Sequence, residues 1–503
     1  MFADMLLEPL AWARRHFGDL DLGHKVRNER AVKIAAAVAA SPGASLPRQM
    51  GDAHQAKAAY RFLDTPDQVT FESLAGGHWA ATRAGIGSMD VALLVGDTTE
   101  VDYTDHPGVT GLEPIGNGHG QGMNLHTVLA VDPARGGQVQ GIAWQQLFYR
   151  QERPKVAKGK AAQGPAAAAA PADARPAKAD RQSQVWADSV AGCGRPAAGK
   201  KLVHVTDSGS DDFGYFAACG AQGSDFLGRI YRHRQATLGH GAVAATTGGR
   251  SSILDLARSL PALGGKAVEL RGRTRQKVKL KVEGKADRST VLRDVPARVA
   301  QLQVSAAAVS LFPPADGGYG TGPLRLWVVR VWEPHPLPGV EPIEWILLTS
   351  LPVTGLADAL LMAEWYGHRW LIEEYHKCLK TGCRVEARQL ETADRLEALL
   401  GFLVVVAVRL LAIKQQADAR PDAPATTVVD ELTVSVLAAK RKRKTPPADL
   451  TVRQFWREVA KLGGFLGRKG DGEPGWQTLW LGWMELQTLV EGARLMSSMA
   501  TAN

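Results

Sequence analysis

Within YGHRWLIEEYHKCLKTG (366–382), Tyr366, Arg369, Glu373, Lys377 and Lys380 recur every three or four positions. At about 100° per residue they share one helix face, while Leu371, Ile372, Tyr375 and Leu379 fall opposite and suit a core. So charged a face is either solvated and laced with Glu–Lys pairs, or it holds an anion. Two further carboxylates follow apolar runs that read as buried strands: VALLVG (91–96) delivers Asp97 and KLVHVT (201–206) delivers Asp207. Each is expected at a strand end, where it either caps a turn or ligates a cation that offsets its desolvation. With Glu373 they make three hard oxygen donors of the kind that suit Mg²⁺ or Mn²⁺. Two such ions can activate an attacking oxygen and stabilise a leaving one in an in-line displacement at phosphorus. In that chemistry Glu373 closes the metal site and Arg369, Lys377 and Lys380 hold a nucleic-acid backbone. Tyr366 would bond a phosphate or stack on a base. Glu374, the rival ligand, points about 100° away from Glu373 on the same wheel.

The elements that must position these groups are legible in outline. RNERAVKIAAAVAA (27–40) and HQAKAAYRFLD (54–64) read as helices separated by Pro42, Gly43 and Pro47, a small basic region that fits either DNA or plain packing. From about residue 91 the texture becomes short Val- and Leu-rich runs. An Ala-, Pro- and Lys-rich stretch (155–180) cannot bury a core and reads as a flexible surface insertion. Alternation in KVKLKVEG (277–284) and LRLWVVRVW (324–332) makes 226–348 a mostly antiparallel sheet. After residue 355 the helical period returns. The run KRKRK (440–444) is a phosphate-binding patch or a solvated loop, and Trp476, Trp480 and Trp483 at helical spacing form a core or subunit-interface stripe.

The chain of 503 residues is long enough for two or three domains, and its net charge of +9 is compatible with a polyanionic partner. Four cysteines, Cys193, Cys219, Cys378 and Cys383, form no CxxC pair, and the N-terminus resembles no cleaved signal, so a reducing cytoplasm is expected. The apolar run GFLVVVAVRLLAI (401–413) carries Arg409 and is short for a membrane span, so a buried helix is expected and no membrane partner. His376, Cys378 and Cys383 match no common zinc spacing, and the cysteines fit a helix surface and its C-terminal cap. GNGHGQG (116–122) and GGYGTG (317–322) lack the strand and helix that a phosphate cradle needs, and read as turns. With no G-x-S-x-G or Walker lysine, serine-hydrolase and NTPase chemistry have no anchor.

The spacing Tyr366, Arg369, Glu373, Lys380 resembles the Y-R-E-K signature of the IS-four family of DDE transposases. WILLTSLPV (345–353) and HKCLKTG (376–382) resemble the Tn-five transposase branch. QAKAAYRFLD, VGDTTEVDY and RKRKTPPADLTVRQFWREVAKLGGF extend the likeness along nearly the whole chain. The resemblance implies an α/β fold, an RNase H-like catalytic core with an inserted antiparallel β-sheet, flanked by N-terminal and C-terminal helical domains. The expected layout is a DNA-binding domain over 1–75, a catalytic domain over 76–415 with its β insertion at 226–348, and a dimerisation domain over 416–503. It implies metal ligation by Asp97, Asp207 and Glu373 with two Mg²⁺ (or Mn²⁺) ions. It also implies transposon-end contacts by Tyr366, Arg369, Lys377 and Lys380 with Arg229 assisting, and base stacking on Trp345 when a DNA hairpin forms. The implied reaction is cut-and-paste transposition: nicking, hairpin formation and opening, and strand transfer. The implied partners are double-stranded DNA with terminal inverted repeats, target DNA, and a second copy of the chain in a paired-end complex. A decayed end-binding dimer and a metal-dependent nuclease without strand transfer are the competing readings. Relatives carry Arg-Glu after the second aspartate, whereas Ser208 and Gly209 stand here, so support for Asp207 from those neighbours is expected to be lost.

Overall fold

The computed structural model describes residues 7–116, 118–149, 184–240, 249–270, 272–281, 288–314, 322–337, 340–442, 449–468 and 471–501. The stretch 155–180, all but the last residue of GGYGTG, and the end of the basic run (443–444) lie outside them.

Helices α1 (Pro9–Phe17), α2 (Lys25–Ala40), α3 (Leu46–Met50), α4 (Ala53–Leu63) and α5 (Phe71–Ile86) open the chain. Their starts are set by side-chain caps: Asp52 accepts from the Gln55 amide at 2.7 Å, and Thr70 and Ser73 exchange a capping box. Strands β1 (Val91–Asp102), β2 (Glu113–Ile115), β3 (Gly120–Asp132) and β4 (Gln138–Phe148) follow. Next come α6 (Gln184–Cys193), β5 (Lys201–Thr206), α7 (Phe213–Gln222), β6 (Asp225–Arg229), β7 (Gln235–Leu238), β8 (Ser251–Ser252) and α8 (Ile253–Ser259). Then β9 (Gly264–Leu270), β10 (Arg273–Lys281), β11 (Arg288–Val295), β12 (Arg298–Leu311), β13 (Leu324–Trp332) and β14 (Glu344–Thr349) complete the strands. The chain ends in α9 (Leu356–Gly367), α10 (Trp370–Lys377), α11 (Ala393–Ala419), α12 (Glu431–Lys440), α13 (Val452–Leu462) and α14 (Trp476–Thr501). The class is thus mixed α/β with helical ends.

Two compact units divide the chain: Met1–Met89, Thr98–Arg175 and Trp370–Asn503 form one, Asp90–Asp97 and Pro176–Arg369 the other. In the first, α11 is the central rod. The apolar helical stretch runs over Ala393–Gln416, longer than 401–413 and long enough to cross a membrane, but 94% of its most apolar window is buried inside the protein. Phe402 meets the rings of Phe17 and Phe62 at 5.3 and 6.1 Å. The buried Arg409 donates to the Leu7 carbonyl at 2.6 Å and lies over Trp12, and desolvation lowers its pKa to about 10. Strands β2, β3 and β4 are antiparallel, with Glu113 opposite Gly122 and Val128 opposite Trp144. Within the glycine-rich stretch, residues 116, 118 and 119 turn and 120–122 begin β3 in a close strand approach: a Cβ on Gly122 would sit 2.1 Å from the Val101 carbonyl oxygen. In α14, Trp480 and Trp483 are buried, and Trp483 packs 5.2 Å from Trp456 of α13. The side chain of Trp476 is outside the described set.

In the second unit the strands run β1, β5, β6, β14, β13, β12, β7, β8, with β9 also on β12. β1, β5 and β6 are parallel, and the pairings beyond β6 are antiparallel. β10 and β11 make a separate antiparallel hairpin. Helices α6 and α7 pack on these strands through Trp186, Tyr215 and Phe216, the last stacked 4.8 Å from Phe226 of β6. These strands are buried on both faces, which is why VALLV and KLVHVT show no alternation.

Candidate active site

The second unit gathers Asp97, Asp207, Arg229, Trp345, Tyr366 and Arg369. Gly96 of β1 pairs with Thr206 of β5, and Thr206 pairs with Gly228 of β6. Asp97, Asp207 and Arg229 each come one residue later, so they stand in a row at the C-terminal edge of three parallel strands. Arg229 is opposite Leu347 of the antiparallel β14, which puts Trp345, two residues earlier, beyond the same edge. The Tyr366 ring meets the Trp345 ring at 5.1 Å, edge to face. The Arg369 guanidinium lies 4.0 Å from the Asp97 carboxylate, both groups being mostly covered. Burial raises the Tyr366 pKa above the ordinary phenol value; the charges of Arg369 and Arg229 oppose that shift and Asp207 adds to it. The Arg229 side chain is fixed by donating from Nη2 to the Glu344 carbonyl at 3.2 Å.

Two expectations are corrected here. Asp97 is inside β1, which continues to Asp102 because Thr98, Thr99 and Val101 keep the extended backbone favourable; what stops after Gly96 is the pairing with β5. The stretch 366–382 is not one helix: α9 stops at Gly367, a poor helix former, and His368 and Arg369 turn before α10 begins. The predicted stripe therefore breaks, and Tyr366, assigned to its polar face, is only 4% exposed. Asp207, without the Arg-Glu pair that relatives carry after it, is held by other groups: the Gly209 amide donates to Oδ1 at 2.7 Å, and the Ser210 hydroxyl donates to the Asp207 carbonyl at 3.0 Å.

Sequence reasoning missed Asp211. Its buried carboxylate accepts from the backbone amides of Tyr231 and Arg232 at 2.9 and 2.8 Å and from Arg234 Nε at 2.9 Å. It joins the segment after Asp207 to the turn after Arg229, a juxtaposition that β5–β6 pairing creates and no local pattern signals.

Glu373, Lys377 and Lys380 belong to the first unit. Glu373, half-buried, occupies the first turn of α10, where a carboxylate suits the positive end of the helix dipole. Ile372 and Tyr375 turn inward, and the Tyr375 hydroxyl donates to the Val404 carbonyl of α11 at 3.3 Å. Glu374, the rival ligand, is held by Lys414 at 2.5 Å. Lys377 is exposed, and Lys380, in a π-helical turn (Cys378–Gly382), pairs with Glu386 at 2.9 Å. Cys378 and Cys383 are not surface groups but fully buried, with the Cys383 thiol pushed up to about 12 by desolvation.

Three family models match the chain. Residues 9–68 match "Transposase DNA-binding", residues 180–409 match "Transposase DDE domain", and residues 405–503 match "Transposase Tn5 dimerisation domain".

Proposed function

Since the chain belongs to the Tn5-like DDE transposases, we propose that it catalyses cut-and-paste transposition of an insertion sequence. The family models support DNA binding and pairing of two copies, and the DDE domain implies an RNase H-like α/β core whose chemistry uses divalent metal ions. In this reading the catalytic domain spans 76–415 with an antiparallel insertion over 226–348, between a DNA-binding domain (1–75) and a dimerisation domain (416–503). The observation that carries the proposal is the row of Asp97 and Asp207 at one sheet edge, bordered by Arg229, Trp345, Tyr366 and Arg369.

The donor set fits hard cations: two carboxylates on neighbouring strands offer oxygen ligands, and the nearby guanidinium limits the cost of bringing them together. Asp97, Asp207 and Glu373 are assigned as the ligands. Two Mg²⁺ or Mn²⁺ ions held there would activate the attacking oxygen and stabilise the leaving one. Arg369, Arg229, Lys377 and Lys380 are assigned to backbone phosphates of the transposon end, which they orient for in-line attack. Trp345, braced by Tyr366, supplies the apolar face on which an unstacked base rests during hairpin formation. The exposed Leu495, Met496 and Met499 of α14 are candidates for the face that joins two copies, each bringing one terminal inverted repeat before capture of target DNA in the cytoplasm.

The test is cleavage of a duplex bearing the inverted repeat that flanks the coding sequence, with Mg²⁺, comparing the wild type with Glu373→Ala. Nicking and a hairpin by the wild type, with binding alone by the variant, are expected. A wild type that binds this duplex and never cuts it overturns the proposal.

A further inference from the structure

The segment that follows Asp207 is a close-packed turn. Asp207 caps a single 3₁₀ turn, Ser208–Ser210, with Oδ1 accepting from the Gly209 amide. The carboxylate keeps its second oxygen, Oδ2, as a site for a further partner. Gly209 has no space for a side chain: a Cβ would lie 2.9 Å from Asp207 Oδ1 and 3.2 Å from Cζ2 of the buried Trp186. The first distance is shorter than any ordinary contact, and neither neighbour can retreat freely. The Trp186 indole is fixed edge to face against Tyr215, and moving Oδ1 breaks the hydrogen bond that orients the carboxylate. From below, Ser210 Oγ is 2.6 Å from Thr206 Oγ1 and donates to the Asp207 carbonyl, so the turn is tied to the end of β5. Beyond it, Asp211 is anchored to the 231–234 turn.

We infer that Gly209, squeezed between the Asp207 carboxylate and the Trp186 ring, is a positioning residue that presets Asp207 with one oxygen engaged and the other presented to a metal ion. The inference rests on the assignment of Asp207 as a metal ligand. Its physical content is preorganisation: a ligand already held in its binding rotamer loses less freedom on coordination, and groups that orient a ligand typically contribute about 10- to 100-fold to metal affinity.

The experiment is titration of the full-length chain with Mn²⁺, followed by the paramagnetic resonance of the free ion, for the wild type and for Gly209→Ala, Ser210→Ala, Ser208→Ala and Asp207→Ala. Thermal unfolding of each in EDTA runs in parallel. Gly209→Ala is expected to weaken Mn²⁺ binding about tenfold while still unfolding cooperatively, at a midpoint lowered by the strain of the added methyl. Ser210→Ala is expected to weaken it about threefold, Ser208→Ala to leave it unchanged, and Asp207→Ala to remove the site. Wild-type affinity in Gly209→Ala, with the site lost in Asp207→Ala, overturns the positioning role and leaves the ligand assignment standing. If Gly209→Ala does not fold, Ser210→Ala decides, and unchanged affinity there overturns the inference. Wild-type affinity in Asp207→Ala, or a wild type that binds no Mn²⁺, overturns the ligand assignment itself.

Discussion

The Asp207 edge and the α10 arm both carry candidate catalytic charge, but they hold it by different means. The Asp207 carboxylate is oriented by a backbone amide while a hydroxyl holds its main-chain carbonyl, and the carboxylate of its neighbour Asp211 is oriented by two amides and an arginine. The charges on the arm and its flank are held by other charges: Glu374 by Lys414 and Lys380 by Glu386. Backbone hydrogen bonds in a packed turn are fixed when the chain folds. Ion pairs that are a third exposed, as Lys380 and Glu386 are, can be exchanged for a phosphate at small cost. The contrast suits the roles proposed for them, a metal ligand that must not move and a cation that must change partners.

The largest effect should come from the acidic edge itself. Asp97→Asn is expected to reduce end nicking by about 10³-fold, the loss of about 4 kcal/mol of transition-state stabilisation, with end binding kept; a single-turnover nicking assay reads it. A loss of comparable size in Lys377→Ala would erase the distinction between the two regions.

Acid should weaken the β5 side through His204, which is fully buried two residues before Thr206 and whose pKa desolvation lowers to about 4. Below about pH 6.5 the unfolded chain takes up a proton that the folded chain refuses, so stability falls between about pH 6.5 and 4, by about 3 kcal/mol for this one group. Above that window both forms are neutral and the contribution is flat. Thermal midpoints measured across this range should fall less steeply in His204→Leu than in the wild type. The buried His78 pulls in the same direction, its pKa lowered first by desolvation and then by His16, so part of the slope should remain.

Trp345→Ala should lower the rate of hairpin formation about tenfold, within the range of one to three kcal/mol that base–aromatic stacking contributes, and should leave first-strand nicking nearly unchanged. Single-turnover gels that separate nicked from hairpin product check this.

The smallest effects belong to the exchangeable pair. Lys380→Ala should reduce the slope of log affinity against log salt by about 1, whereas Glu386→Gln, which frees the lysine, should tighten end binding about threefold. Fluorescence anisotropy at several salt concentrations separates the two. Weaker binding in Glu386→Gln would mean that the pair orders Lys380 for phosphate rather than competing with it.

Much of this was legible without coordinates. The apolar runs at 91–95 and 201–206 and the alternation at 324–332 fix strands because each depends on neighbours a few residues away. The order of residue types from Tyr366 to Lys380 fixed the family resemblance. Helix continuity through Gly367 was misread because spacing alone does not register the weakness of a glycine at a helix end. What only tertiary structure decided is how the groups are held. The row of Asp97, Asp207 and Arg229 depends on strand register, the burial of Tyr366 on an aromatic partner 21 residues earlier (366 minus 345), and the restriction at Gly209 on an indole from α6. Residue types and local periods are written along the chain; long-range register and side-chain collisions are set only when distant segments pack at close to crystal density.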